Sequence, residues 1–156
     1  MTMSASSTHG RSTIDKLAEP EATRFLVPLG RLCFVLIFLA AVPAHFTGAG
    51  IGYAAQQGVP AAQVLVPLSG VLSLLGGLSV LLGYRARLGA LLLAIFLIPV
   101  TLMMHKFWAL PDPMQARMQQ IMFMKNVAML GGCFLLMYFG AGPFSIDARS
   151  RRTTTP

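Results

Sequence analysis

The stretch Gln63–Gly83, QVLVPLSGVLSLLGGLSVLLG, decides the fold, because it carries no charge over its whole length. A helix needs about 20 apolar residues to cross about 30 Å of hydrocarbon. Three further runs have the same character: Phe25–His45, Leu88–His105 and Ile121–Tyr138. Backbone groups left unpaired in lipid are so costly that spans of this kind are predicted to be helical, not stranded. The expectation is an all-α fold, an integral membrane bundle of four helices.

Composition points the same way. The 156 residues are 55% hydrophobic and 11% charged, with a mean hydropathy of +0.68, whereas soluble domains are roughly 25% charged. The formal net charge of +7 does not indicate nucleic acid as a partner. The basic residues sit at the ends of apolar runs and form no patch interleaved with aromatics. They read instead as topology signals. Arg11, Lys16, Arg24 and Arg31 precede or open the first run, Arg85 and Arg87 occupy the second connection, and Arg149, Arg151 and Arg152 follow the fourth run. The opposite side carries Lys106, Arg117 and Lys125. Four spans with both termini cytoplasmic satisfy this asymmetry.

Residues 1–24 are rich in Ser, Thr and charges and are expected to be a disordered cytoplasmic tail. Residues 25–142 form the membrane domain and 143–156 a basic tail. Arg24 and Arg31, the apolar LCFVLIFLA and the small residues before His45 also resemble a cleaved secretory signal, although the charged region ahead of the apolar core is long for one. Cys33 and Cys133 lie inside apolar runs at no metal-ligand spacing and read as small hydrophobes.

Within the second run Ser69, Ser73 and Gly77 recur every four residues, with Gly76 alongside. Such a stripe lets a neighbouring helix approach closely, which is how helices associate where lipid removes the hydrophobic drive. The alternative is that small residues are simply common in spans.

Polar groups inside spans are expensive and are therefore candidate sites. The predicted topology puts His45, His105, Lys125 and Asn126, from three different runs, near one level on the non-cytoplasmic side. Phe107, Trp108 and Met122 surround them, and together these residues make a candidate ligand pocket. Each also has an ordinary reading. Lys125 can snorkel, and the histidines with Phe107 and Trp108 suit an interfacial belt. Asn126 is too short to snorkel and needs a buried partner. On the cytoplasmic side Arg31 is placed to meet phosphate head groups or the polar ends of neighbouring helices. Two histidines could ligate haem, and the ten methionines could hold Cu(I). There is no CxxCH, no cluster at short ligand spacing and no pair of carboxylates in a span, so no metal site is expected, and haem and copper are disfavoured.

Several segments resemble the DoxX family of small bacterial membrane proteins. They are PLGRLCFVLIFLA (28–40), GYAAQQGVPAAQVLVPLSGVLSLLGGLSVLLGYRARLGA (52–90), TLMMHKFW (101–108), MFMKNVAMLGG (122–132) and GPFSID (142–147). Ser73 stands where many such proteins have glutamate, and His45 where many have lysine. The resemblance implies a four-helix protein of the bacterial inner membrane that is an accessory or small subunit of a redox system. A quinone would be its candidate ligand, and a redox subunit, a second copy and the lipid bilayer its candidate partners. No autonomous catalytic motif is visible. A non-enzymatic scaffold docking through the small-residue stripe is the alternative, followed by a small-solute permeation protein.

Overall fold

In the computed structural model, which describes residues 21–153, every regular element is helical. The order is α1 (Glu21–Arg24), α2 (Leu26–Ala41), a 3₁₀ turn (Val42–Phe46), α3 (Gly48–Gln56), α4 (Ala62–Leu82), α5 (Ala86–Met104), a second 3₁₀ turn (Phe107–Ala109), α6 (Pro113–Phe139) and α7 (Ile146–Thr153). Four segments are long and apolar enough to cross a bilayer: Leu26–Phe46, Ala62–Leu82, Ala86–Ala109 and Pro113–Phe139. Residues 1–20, most of the tail expected to be disordered, lie outside the described residues, as do residues 154–156.

Local chemistry sets the helix ends. Asp112 caps α6 by accepting from the Gln115 amide at 2.7 Å, and Pro113 follows at the first helical position, where its missing N–H costs nothing. This cap starts α6 well before the apolar run at Ile121. At 1.5 Å per residue its 27 residues extend about 40 Å, so the first turns, with Gln115, Arg117 and Gln119, project beyond the hydrocarbon. Helix α4 ends at Gly83, whose φ of +64° is left-handed. The Tyr84 amide reaches back to the Ser79 carbonyl at 3.0 Å and the Gly83 amide to Val80 at 3.2 Å, a Schellman stop.

Helix α4 lies at the centre, against α2, α3 and α5, while α6 packs along α5. Close approach depends on small residues. A Cβ on Gly76 would lie 2.9 Å from the Gly89 carbonyl oxygen and from Leu93, and one on Gly77 would lie 2.7 Å from Leu39. Ser73 is fully buried and donates to the Phe38 carbonyl at 3.3 Å. Gly132 of α6 similarly receives the ring of Phe34. Val35, Phe38, Val80, Leu93, Leu97 and Cys133 make the core, and the large residues on the outer faces, such as Leu78, Leu82, Ile95 and Ile98, are exposed. Such a surface suits lipid and not water.

The end of the bundle that carries α1 and α7, the first and last described elements, is closed by a polar knot. After α6, residues 140–147 turn back across the α4–α5 connection. The Asp147 carboxylate accepts from the amides of Arg85 at 2.8 Å and Ala86 at 3.1 Å, so it caps the N-terminus of α5. The Asp147 amide donates to the Gly83 carbonyl at 2.9 Å. Arg31 is only 4% exposed and donates from Nη2 to the Phe144 carbonyl at 2.7 Å. A side chain at Gly83 would collide with Arg31 Nη1 and with Ser145. The basic tail expected from residue 143 onward is therefore a fold-back strap, at least through α7.

Gly77→Leu, which drives a side chain into Leu39, is expected to destabilise the bundle by about 1–3 kcal/mol. Asp147→Ala, which removes the acceptor at the head of α5, is expected to cost about 1 kcal/mol. Thermal unfolding midpoints in detergent check both, and unchanged midpoints contradict the packing described.

Candidate functional site

At the end of the bundle away from the termini, the chain between α2 and α4 does not run as an open loop. Thr47 caps α3 by accepting from the Gly50 amide at 3.0 Å, and Ala54 of α3 packs with Ala62 and Val66 of α4 in a small buried cluster. Gly50 lets α3 sit directly on the Ala44 carbonyl, and Gly70 lets α4 approach His45, where a Cβ would meet the His45 Cβ at 2.7 Å. Lys106, just beyond α5, donates from Nζ to the Gln57 carbonyl at 2.9 Å. A cation at the C-terminal end of a helix satisfies an orphan carbonyl and complements the dipole. So α3 is fixed on three sides.

Beneath it is a cavity of about 380 Å³, within the range of small-ligand sites, roughly 300–1,000 Å³. Ala44 and His45 line it from the 3₁₀ turn, Tyr53 and Ala54 from α3, Val66, Ser69 and Leu72 from α4, and Phe96, Val100 and Met104 from α5. Pro99 also lines it. A proline inside a helix removes one backbone hydrogen bond, so the wall of α5 is locally less constrained at this cavity. No Asp, Glu, Lys or Arg lines the cavity. Two of its polar groups are engaged with backbone: Ser69 Oγ donates to the Val66 carbonyl at 2.7 Å, and His45 Nδ1 donates to the Ala41 carbonyl at 2.9 Å. A carbonyl can only accept, so a neutral His45 keeps its proton on Nδ1 and Nε2 as an acceptor. Its ring lies 5.6 Å from that of Phe96. Leu65, Leu68 and Ile95 line the cavity and are also exposed on the bundle surface, so the mouth faces sideways between α4 and α5.

The polar set picked out of the sequence is divided between this cavity and the α5–α6 side. Of that set only His45 lines the cavity. His105 donates from Nδ1 to Gln119 Oε1 at 2.7 Å. Phe107, Trp108 and Phe123 form a group of edge-to-face rings at centroid distances of 5.1, 5.5 and 6.0 Å. Lys125 is exposed, with Nζ 3.2 Å from Met122 Sδ. Asn126 is 5% exposed and makes no side-chain hydrogen bond among the described residues. The two imidazoles are held by separate partners, and among the described residues no three of His, Cys, Asp and Glu gather as a metal site would need. Tyr53 and Ala54 escaped the sequence reading as site residues. The short, Gly-rich segment after Thr47 was the available signal: too short to span, yet capped and apolar on one face.

A sequence model of the SURF4 family matches residues 2–153. The chain belongs to the SURF4 family. Neither the curated proteins nor the solved structures contain a significant match. The family assignment overturns the DoxX resemblance, and with it the reading of this protein as an accessory subunit of a quinone-linked redox system. The segments that suggested DoxX are largely apolar and rich in small residues. Such segments meet the packing needs of many membrane bundles, whereas the SURF4 match extends over nearly the whole chain.

Lys106→Met removes the one side-chain bond to the end of α3. Hydrogen–deuterium exchange over residues 48–58 is expected to quicken roughly ten-fold, the effect of losing one charge-assisted hydrogen bond, while α4 exchanges as before. Equal exchange in the two proteins contradicts the role given to Lys106.

Proposed function

We propose that this SURF4-family protein is a membrane-embedded binding protein for a ligand with an apolar chain. The chain enters sideways from the bilayer and is held beneath α3. The observation that carries this reading is the cavity of about 380 Å³ without a charged lining residue, closed by a helix that is itself fixed by Lys106. In lipid an acyl chain gains little by leaving its neighbours, because the hydrophobic drive is absent there. Selectivity must therefore come from shape and from the polar rim, where Tyr53 and His45 Nε2 can meet the ligand's head. With no carboxylate or lysine at the cavity and Ser69 bonded to its own helix, retention and release suit this site better than bond-making.

Orientation follows from charge. Arg24, Arg31, Arg85, Arg87 and Arg149 share the end that bears both termini, and Lys106 and Arg117 lie at the other. The positive-inside rule then supports cytoplasmic termini and places the cavity toward the opposite face. The rule applies equally to the bacterial inner membrane and to a secretory-pathway membrane.

A fatty acid carrying a diazirine in mid-chain tests the function. It should label α4 and α5 around the cavity in the full-length protein. Ala54→Phe, which fills the cavity from α3, should reduce that labelling about ten-fold, and Leu135→Phe on the lipid-facing side of α6 should leave it unchanged. Labelling spread evenly over all lipid-facing helices, or unaffected by Ala54→Phe, defeats the proposal.

A further inference from the structure

The cavity beneath α3 has an uneven supply of hydrogen-bonding groups. Three of its lining side chains carry oxygen or nitrogen: His45, Tyr53 and Ser69. Two of the three already spend their proton on backbone, Ser69 Oγ on the Val66 carbonyl and His45 Nδ1 on the Ala41 carbonyl. What each has left is a lone pair, on Oγ and on Nε2. His45 Nε2 has no hydrogen-bond partner among the described residues. The side-chain atoms that are both enclosed and unpartnered belong to Arg31, so Nε2 keeps accessible surface and can meet a guest.

The backbone adds a third acceptor. Pro99 has no N–H, so the carbonyl of Ile95, one turn earlier in α5, loses its helical donor. Ile95 and Pro99 both line the cavity. These acceptors share one level of the bundle. A Cβ on Gly70, next to Ser69, would meet the His45 Cβ at 2.7 Å, and the His45 ring lies 5.6 Å from that of Phe96, next to Ile95. At 1.5 Å per residue Ser69 lies about 10 Å below Ala62, where α4 begins. The level is therefore within the hydrocarbon. Tyr53, exposed on α3 at the mouth, is the lining side chain with a proton still to give.

A site rich in acceptors selects a guest that brings a donor. A hydroxyl without a partner is costly in hydrocarbon, and lipid chains offer it none, so an acceptor at this depth separates a hydroxyl-bearing guest from the surrounding acyl chains. Ionised heads are ruled against by the same lining. A carboxylate or phosphate would face lone pairs with no cation, and an ammonium would find no carboxylate, because no Asp, Glu, Lys or Arg lines the cavity. We propose that the guest is a neutral amphiphile whose polar end is a hydroxyl, a long-chain alcohol by class, and that this hydroxyl donates to His45 Nε2. A fatty acid offers the same donor only in its protonated form. This inference rests on the reading of the cavity as a binding site and adds the chemistry of the head.

The test uses the full-length protein in phosphatidylcholine vesicles with the mid-chain diazirine fatty acid as probe. Hexadecanol, its methyl ether and hexadecyltrimethylammonium, which share one chain, are added as competitors. Hexadecanol should suppress cavity labelling at about five-fold lower concentration than the ether, the worth of one neutral hydrogen bond, and the ammonium should compete no better than the ether. His45→Phe should keep the labelling and make alcohol and ether equal, whereas Tyr53→Phe should keep the preference. Equal competition by alcohol and ether in the unaltered protein, or a preference for the ammonium, overturns the proposal, while labelling that Ala54→Phe suppresses would still uphold the cavity as a binding site. A preference that survives His45→Phe, or disappears in Tyr53→Phe, overturns the role of Nε2. Absence of cavity labelling overturns this inference together with the reading beneath it. The comparison of alcohol with ether needs no variant, so it decides the matter even where His45→Phe fails to fold.

Discussion

The packing of Gly76 against the Gly89 carbonyl oxygen is the contact on which the rest of the bundle depends. In lipid, helices gain nothing from hiding apolar surface, so they hold together only where backbones come close enough for dense dispersion contacts. Gly76 brings α5 onto one side of α4, and Gly77 with Ser73 brings α2 onto another. With α4 gripped from both sides, α6 needs only to lie along α5, with Gly132 admitting the ring of Phe34. Side chains larger than hydrogen on this face would separate the three helices and merge the cavity with the bilayer.

The two ends of the bundle have opposite chemistry. The end with the termini is dense in donors and acceptors, with Arg31, Asp147, Ser145 and the Gly83 turn locked together. The other end contains space. Pro99 of α5 lines the gap, α3 lies over it, and the lining is mostly apolar. A rigid polar knot at one end and a covered cavity at the other suit a protein that keeps its shape while a guest enters and leaves. The guest would pass between α4 and α5, above the Gly76–Gly89 crossing, where the helices part.

Much of the candidate site was not legible in the sequence. His45 was picked out because an imidazole at the end of a span is costly, and it does line the cavity. The same reasoning put His105, Lys125 and Asn126 with it, because topology gives depth along a helix but not rotation about its axis. Rotation sends His105 to Gln119 and Lys125 to the surface. Helix α3 was invisible for a different reason. Nine residues are too few to stand out as a helix in isolation, and α3 exists because Thr47 caps it, Ala54 anchors it and Lys106 closes it. The DoxX resemblance is overturned by the family match; the apolar, small-residue character of much of its segments reports packing, which is common to many families.

The sequence by itself determined the number of spans, their helical nature and which charged residues share an end. Those properties follow from length, apolarity and the cost of bare backbone in lipid, all of which are local. Only the tertiary structure decided that the segment after His45 folds over a cavity, that the C-terminal segment returns to cap α5, and that Arg31 is buried beneath it. Each of these depends on contacts between residues far apart in the chain. Their partners are backbone carbonyls and amides, which look the same at every position of a sequence until the fold brings one of them within 3 Å of a side chain.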